Sequence, residues 1–419
     1  MKKFLSMLLI LALAISMSSM AFAAEDGKLT IWCWDVNFNV AAMEVAKKMY
    51  QEEHPDVEIE VVNSTGSGDI ETSVVQAATA GDLSTLADII LYQDNSYQKL
   101  VANYPEVFTD LTDLYDFTDF AEGKSSFSIV DGHHYGIPFD AGTAVAAYRT
   151  DVLEQAGYTI DDMNDITWDR AIEIGKDVKE KTGLPLFSAQ AGSSDWTVII
   201  LKSCGASMFN EDGSVNLKDN DQLKAALDVY LTLVREGVLV EVNSWDEYIG
   251  TMSNESVVGT FNGCWILASV MSLTDQAGKW GMANIPSLVG VDGATNYSSN
   301  GGSSWAITQG TDIDLAVDFM QAYRNVDFYN EILPTTSAIA SYNPAKEGSN
   351  YTDVNEFMGT PVFADIIEYG EHVPPVVSSP YYYDARDALA TAQTNILNGA
   401  DIQAELENAQ NTVEFAMDF

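Results

Sequence analysis

Apolar and polar positions in the first third of the chain follow two different periods. Short apolar or alternating runs predict strands, whereas apolar positions that recur every three to four residues predict helices. The pattern predicts strand, helix, strand, helix and strand, at residues 28–34, 41–53, 57–62, 69–80 and 87–91. The last strand is continuously apolar, which is typical of a strand buried on both faces of a sheet. This order favours a parallel sheet in an α/β fold.

The rest of the chain contains more helices than strands. Residues 132–145 are rich in Gly, Pro and aromatic residues, and predict a turn or a crossing between two lobes. Thr167 is suited to cap the start of a helix, and Gly183 with Pro185 to end it. The pattern predicts strands at 257–265 and 280–286, and helices at 150–157, 168–182, 195–203, 221–236, 312–323 and 384–397.

The composition indicates a folded and strongly acidic protein. Of 419 residues, 62 are Asp or Glu and 20 are Lys or Arg, so the formal net charge is −42. Such a charge disfavours nucleic acids and anionic membranes as partners. Apolar residues make up 47% of the chain, which supplies a core and argues against disorder. At this length we expect two or three globular units.

The N-terminus has the three zones of a secretory signal peptide. Two lysines lie within residues 1–3, and residues 4–15 are mostly apolar. The small residues Ala21 and Ala23 then form a typical cleavage site. The sequence therefore predicts that residues 1–23 are removed and that the mature protein is exported. No cysteine lies directly at the expected cleavage point, so we expect no lipid anchor there.

Cysteine and histidine are scarce. The three cysteines, Cys33, Cys204 and Cys264, cannot all pair within one chain, so at least one is a free thiol or joins another molecule. The simplest interpretation is that they are small buried apolar residues. We expect His133 and His134 in a surface turn rather than at a metal, because neighbours on a strand point apart. We expect no metal and no cofactor.

Common catalytic motifs are missing from the sequence. It contains no G-x-S-x-G, H-E-x-x-H, G-x-G-x-x-G or P-loop pattern, which disfavours serine hydrolases, zinc proteases and nucleotide enzymes that carry them. A glycosidase that uses two carboxylates stays open, because 62 acidic residues supply many pairs. The same abundance makes the choice of any particular pair arbitrary.

Aromatic residues beside Gly, Ser and Pro indicate a cleft for a saccharide. The C–H face of a sugar ring packs on an aromatic ring, while Asp, Asn and Gln bond its hydroxyl groups. Packing in the core is the competing interpretation for any single Trp, and it is stronger for Trp168 and Trp280, which lie within periodic segments. The aromatic candidates are Trp34, Trp196, Trp265, Trp305 and the run Tyr381 to Tyr383.

The order of short motifs along nearly the whole chain resembles that of a known family. The motifs are KLTIW at 28–32, ADII at 87–90, YGIPFD at 135–140, TWD at 167–169, FNEDG at 209–213, NGCW at 262–265, GKWG at 278–281 and GGSSW at 301–305. Together they resemble the family 1 extracellular solute-binding proteins of sugar ABC importers. The segments VPPV at 373–376 and YYYDARD at 381–387 are similar to the lactose, arabinose and arabino-oligosaccharide branch.

The resemblance implies a two-lobe α/β fold of the periplasmic-binding-protein type II class, like that of maltose-binding protein. By position, the first lobe comprises residues 24–138 and 288–323, and the second comprises 143–282 and 329–419, with a final helix that returns across the lobes. The three crossings between the lobes are then expected at 139–142, 283–287 and 324–328.

The resemblance also implies contacts with the ligand. In the family, the position of Asp94 faces sugar hydroxyls, and the positions of Trp265 and of the tyrosine run supply stacking rings. Leu91 stands where maltose binders have Trp, and Cys264 where Pro or Ala is usual, which argues against maltodextrin. The full set of expected ligand residues is Trp34, Asp35, Asp94, Asp140, Trp196, Trp265, Trp305, Tyr381 and Tyr382.

These observations predict a binding protein with no catalysis of its own. We expect it to capture a neutral mono- or oligosaccharide, with pentose or galactose units favoured, and to deliver it as a monomer to the permease subunits of an ABC importer. A secreted glycosidase with two carboxylates in the cleft is the main alternative. A peptide or metal receptor of the same general fold is a third.

Overall fold

The structure is a computed structural model that describes residues 27–120, 122–347 and 349–418. The predicted signal peptide at 1–23 lies outside these residues. The strands are β1 Lys28–Cys33, β2 Glu58–Asn63, β3 Ile89–Gln93, β4 Ile129–Val130, β5 His133–His134, β6 Ile137–Asp140, β7 Ala144–Arg149, β8 Phe187–Gln190, β9 Leu239–Val242, β10 Gly259–Gly263, β11 Trp280–Ala283 and β12 Ser303–Ile307.

Helices connect and cover these strands. They are α1 Asn39–Glu53, α2 Ser67–Ala80, α3 Tyr97–Asn103, α4 Glu122–Ser125, α5 Thr150–Ala156, α6 Trp168–Thr182, α7 Asp195–Lys202, α8 Asp221–Arg235, α9 Trp245–Ser253, α10 Ile266–Met271, α11 Ile313–Phe319, α12 Val326–Thr336, α13 Asn343–Lys346, α14 Val362–Glu371, α15 Tyr382–Leu397 and α16 Ile402–Met417. The sequence analysis had no prediction for several of them, including α12, α14 and α16.

The first sheet has five strands in the order β2-β1-β3-β12-β6. Strand β1 pairs in parallel with β2 and β3, and α1 and α2 connect these strands. The predicted β-α-β-α-β beginning is therefore confirmed and its three strands are parallel, but the sheet as a whole is mixed. Strand β12 is antiparallel to both β3 and β6, so its first residues lie at the edge where β3 and β6 end.

The second sheet is antiparallel, in the order β10-β7-β11, and a parallel pair of β8 and β9 lies beside it. The side chains of β7 alternate between two cores: Ala146 and Tyr148 pack into one, Val145 and Ala147 into the other. Strand β7 starts inside the segment 132–145 that the sequence predicted as a turn or crossing. A strand of small residues buried on both faces gives no alternating signal.

Local signals fix the helix bounds well where capping residues are present. Helix α6 has the predicted bounds: the Thr167 hydroxyl oxygen accepts a hydrogen bond from the Arg170 N–H at 3.3 Å, and Gly183 ends the helix with φ 80°. Helix α8 begins in the same way, because the Asn220 side chain accepts from the Leu223 N–H at 2.9 Å.

The second crossing lies later in the chain than the sequence predicted. The chain enters the second sheet between Asp140 and Ala144, but after β11 the segment 288–299 stays with the second lobe. The Thr295 N–H donates to the Ser203 carbonyl at 3.0 Å, and the Ser298 hydroxyl to the Ile199 carbonyl at 2.6 Å. The chain therefore returns to the first sheet at 300–302, not at 283–287, and residues 288–299 do not belong to the first lobe.

The segment after the third crossing contacts both lobes. Helix α12 packs against α1 of the first lobe and against α10, which follows β10 of the second sheet. Tyr342 packs against Phe120, and the Asn343 N–H donates to the Asp119 carbonyl at 2.8 Å. The prediction that residues 329–419 belong to the second lobe alone therefore does not hold for residues 329–346.

The three cysteines are buried and unpaired with one another. Burial raises the pKa of the Cys33 thiol to about 12 and that of Cys264 further. Both thiols are therefore neutral at ordinary pH. Within the described ranges, no helix combines the length and the apolar character needed to cross a membrane.

Candidate ligand-binding cavity between the lobes

A cavity of about 370 Å³ lies where the two sheets face each other. Asp94, Lys124 and Asp140 line it from the first lobe, and Val198 and Lys202 of α7 line it from the second. Tyr382, the first residue of α15, adds an aromatic ring. Much of the remaining lining is aliphatic, for example Leu201, Met208, Ile339, Ile366 and Val376.

A carboxylate and an ammonium group meet at the edge of the first sheet. Asp94 directly follows β3, and its side chain accepts hydrogen bonds from Lys124 Nζ and, at 2.8 Å, from the Ser304 hydroxyl of β12. Lys124 Nζ also donates to the Ser303 carbonyl at 2.6 Å. Asp94 is 3% exposed and Lys124 9% exposed, so this is a buried, hydrogen-bonded ion pair.

A second carboxylate lies at the same edge because β6 ends there. Asp140 is the last residue of β6, and its Oδ1 accepts from the Ser303 N–H at 2.9 Å and from the Ser303 hydroxyl at 2.6 Å. The β12 pair Ser303 and Ser304 therefore connects the two acidic side chains. This arrangement follows from the strand order β3-β12-β6.

Burial dominates the protonation of both carboxylates. It raises the pKa of Asp94 to about 6, although Lys124 and the Ser304 hydroxyl oppose the shift. Burial also raises the pKa of Asp140, and Lys124 again acts in the opposite direction. Lys124 is thus the cation that favours the charged form of both acids.

Gly302 makes this close packing possible. Its φ of 105° lies in the left-handed region, and a Cβ atom there would stand 2.5 Å from Asp94 Oδ2. Its carbonyl also accepts a hydrogen bond from the Asp94 N–H at 3.0 Å. Glycine can adopt this backbone conformation, and its lack of a side chain leaves the space that the acidic cluster requires.

The two lobes also touch beside the cavity. Lys99 of α3 forms an ion pair of 2.6 Å with Asp384 of α15, and its Nζ lies 5.3 Å from the centre of the Tyr381 ring. The Tyr383 hydroxyl donates to the Gln93 side chain at the end of β3. The N-terminal end of α15 is therefore held against the first lobe.

Comparison with known proteins places this two-lobed architecture in a family. The sequence profile described as "Bacterial extracellular solute-binding protein" matches residues 46–355. The chain belongs to the bacterial extracellular solute-binding proteins. It is 38% identical over 369 residues to a lactose-binding protein of Rhizobium radiobacter, covering 87% of this chain and 86% of the relative.

A second relative is similar in sequence, and a solved structure has a similar fold. An arabinooligosaccharide-binding protein of Halalkalibacterium halodurans is 24% identical over 318 residues, covering 71% of this chain and 69% of the relative. The ABC transporter associated binding protein of B. animalis subsp. lactis Bl-04, solved in complex with β-1,6-galactobiose, superposes with a TM-score of 0.81 at 18% identity, covering 94% and 98% of the two chains. The fold is therefore the predicted two-lobe type of maltose-binding protein.

Only part of the expected ligand set lines the cavity of this solute-binding protein. Asp94, Asp140 and Tyr382 do so. Trp196 lies in the second-lobe core against Phe187 and Phe261. The competing interpretation, packing in the core, therefore holds for Trp196, which follows a Ser-rich turn but lies on the inner side of α7.

Trp305 is also a core residue rather than a cleft residue. It is fully buried and packs against Phe139 and Tyr323. Neighbouring residues of a strand point to opposite faces, so Ser304 meets Asp94 while Trp305 points into the core. Its position next to two serines and two glycines gave the misleading signal of a turn.

The other expected residues lie near the cavity without lining it. Trp34 is partly buried and packs against the hydrophobic clusters of the first lobe. The Asp35 side chain accepts a hydrogen bond from the Asn37 N–H at 2.9 Å in the turn after β1. Trp265 Nε1 donates to the Asn300 carbonyl at 3.1 Å, beside the second crossing. Tyr381 faces Lys99. In this arrangement none of the four contacts a ligand confined to the cavity.

The sequence analysis missed the two buried lysines of the cavity. Lys202 had a detectable signal, since it ends the otherwise apolar stretch WTVIILK of α7. A lysine in such a helix is expected to snorkel or to meet a specific partner. Lys124 had no such signal, because it lies in a short polar segment and meets Asp94 only through the fold.

The contact between the lobes allows a test of closure. Substitution Lys99→Met removes the ion pair with Asp384 and is expected to shift the lobes apart, increasing the radius of gyration of the ligand-free protein in X-ray scattering. The pair is partly exposed, so we expect a free-energy change of at most about 1 kcal/mol. Lys176→Met is the matched control, because Lys176 pairs at 2.6 Å with Glu236 within the second lobe. Equal radii for both variants and the unchanged protein would contradict this role.

Proposed function

We propose that this solute-binding protein is an exported receptor that captures a mono- or oligosaccharide in the cavity between its lobes. It then delivers the saccharide to the permease subunits of an ABC importer. Pentose- and galactose-containing ligands are favoured by the names of the two relatives and by the galactobiose-bound structure of similar fold. The protein acts as a monomer and performs no catalysis.

The observation that carries this proposal is the lining of the cavity by both lobes. Carboxylates at the edge of the first sheet can accept hydrogen bonds from sugar hydroxyls. The Tyr382 ring and the aliphatic side chains of the second lobe can cover the C–H faces of the ligand. A ligand that touches both lobes stabilises the closed arrangement, because its contacts differ between the open and closed states.

The glycosidase alternative uses the same two acidic residues. In a glycosidase, one carboxyl group protonates the leaving group while the other acts as nucleophile or base. Here Asp94 bonds Lys124 and Ser304, and Asp140 bonds Ser303 twice, so both side chains already hold the strand ends together. This bonding supports a positioning and binding role over an acid–base pair.

A titration that also examines the sugar separates the two functions. We expect lactose, β-1,6-galactobiose or arabino-oligosaccharides to bind with one molecule per chain in calorimetry. Binding to the folded state alone raises the melting temperature with ligand concentration. Mass spectrometry after prolonged incubation is expected to recover the sugar unchanged.

Two results would count against the receptor. Hydrolysis of a panel sugar at catalytic protein concentration would support the enzyme. If the protein is folded but binds none of the saccharides in a broad panel of pentose, galactose and glucose oligomers, a saccharide ligand is rejected. Maltodextrins serve as the specificity control, since the sequence argues against them.

A further inference from the structure

Lys202 has a largely buried side chain whose ammonium group has no counterion. It is 9% exposed, lines the cavity, and its Nζ lies 5.0 Å from the centre of the Tyr382 ring. Across the described parts of the chain, Nζ has no hydrogen-bond acceptor and no carboxylate within ion-pair distance. The ring covers one side of the ammonium group, and Lys202 otherwise faces the space of the cavity.

The other buried lysine of the cavity shows what is missing at Lys202. Lys124 is equally buried, but the fold provides it with the Asp94 carboxylate and the Ser303 carbonyl. Ser304 and Ser303 also donate to Asp94 and Asp140. The first-lobe acids therefore have partners within their own lobe, whereas Lys202 faces the cavity without a counterion.

The surroundings of Lys202 strengthen any charge that meets it. Val198 and Leu201 precede it on α7, and Met208 belongs to the same lining. In such an apolar environment a charge-assisted hydrogen bond is stronger than at the surface, and an unpaired charge is more costly. A second ammonium group, Lys346, lines the same cavity, and Glu371, another lining residue, acts on it electrostatically.

We propose that the saccharide carries one carboxylate, as in a uronic acid unit, and that this group accepts hydrogen bonds from Lys202. The proposal rests on the proposed function, namely that the cavity holds a saccharide. A carboxylate on the ligand would supply the negative charge that Lys202 lacks, whereas further negative charges would meet Asp94, Asp140 and the −42 formal charge of the chain. The ligand therefore differs from the neutral sugar predicted from the sequence.

The test compares sugars and variants that differ in a single charge. The probes are matched pairs in which a galactose or glucose unit is exchanged for the uronic acid that differs only at C6. Each pair is titrated against the unchanged protein, Lys202→Gln and Lys48→Gln. Gln keeps a donor for sugar hydroxyls but removes the charge, and Lys48 is an exposed residue of α1 that gives the same change of net charge.

The expected result is a coupling between ligand charge and Lys202. We consider the uronate that the unchanged protein binds most tightly. The unchanged protein should bind it at least about tenfold more tightly than the matched neutral sugar, as expected for a charge-assisted hydrogen bond. Lys202→Gln should remove this preference, and Lys48→Gln should keep it. If Lys202→Gln does not fold, the unchanged protein still tests the carboxylate, because equal affinity for both members of each pair would overturn it.

The outcomes distinguish this inference from the function on which it rests. Neutral sugars that bind as tightly as their uronates, or a preference that persists in folded Lys202→Gln, would overturn the uronate assignment and leave the saccharide receptor intact. If the protein bound the C6 sulfate ester but not the uronate, the assignment of a carboxylate to the ligand would be overturned. Failure of every neutral and acidic sugar to bind would reject both.

Discussion

Replacing Lys124 by Met is expected to lower the free energy of unfolding at pH 8 by about 3 to 5 kcal/mol. Lys124 is the cation that bonds Asp94 and lowers the pKa of both Asp94 and Asp140. Without it, two buried carboxylates lose their compensating charge. Urea unfolding followed by circular dichroism measures the change, and Lys176→Met at the exposed pair with Glu236 should alter stability by less than about 1 kcal/mol.

The size of this loss should depend on pH in a defined direction. Burial raises the pKa of Asp94 to about 6, above its unfolded value of 3.8, so the folded state binds the proton more tightly. Loss of Lys124 raises the folded pKa further, so the variant loses stability more steeply as pH increases through and above 6. We therefore expect a smaller difference from the unchanged protein at pH 5 than at pH 8. A difference that is equal at both, or larger at pH 5, would contradict the charge-compensating role.

The second large effect is expected for Trp305→Ala. The Trp305 side chain is fully buried against Phe139 and Tyr323, so its removal leaves a cavity in the first-lobe core. Such truncations of large aromatic residues lower the free energy of unfolding by about 3 to 5 kcal/mol. Urea unfolding measures this loss, and calorimetry at low temperature measures the affinity of the protein that remains folded, which should be nearly unchanged.

Trp265→Ala is the matched comparison, because Trp265 is only half-buried and donates one hydrogen bond to the Asn300 carbonyl. It should lower stability by less than Trp305→Ala. The opposite pattern for Trp305→Ala, with native stability and lost saccharide binding, would restore the stacking role that the sequence predicted.

Sequence reasoning worked where the determining contacts are local. The bounds of α6 depend on Thr167 and Gly183, which lie at its own ends. The parallel order of β1, β2 and β3 follows from consecutive strand and helix periods. The position of Asp94 at the cavity also follows from a local feature, the end of a continuously apolar strand, together with the family resemblance.

The errors arise where contacts span long stretches of chain. The second crossing depends on bonds from Thr295 and Ser298 to Ser203 and Ile199, about a hundred residues away, which no local pattern reveals. The roles of Trp196 and Trp305 depend on which face of an element meets the core, and small flanking residues do not decide that. Lys124 meets Asp94 only once α4 and β3 have packed.

The central claim is that one saccharide occupies the cavity between the lobes, and a cavity-filling substitution tests it most directly. Val376 lines the cavity, is partly exposed, and lies outside both large cores, so Val376→Trp should obstruct the ligand without disturbing the fold. Val289→Trp places the same side chain at a position that is 56% exposed and outside the cavity. The measurement is a calorimetric titration of both variants with the saccharide that binds the unchanged protein most tightly. We predict that Val376→Trp lowers affinity at least about tenfold, a change of about 1.4 kcal/mol, while Val289→Trp binds normally. Normal binding by both folded variants would place the ligand elsewhere and contradict the account.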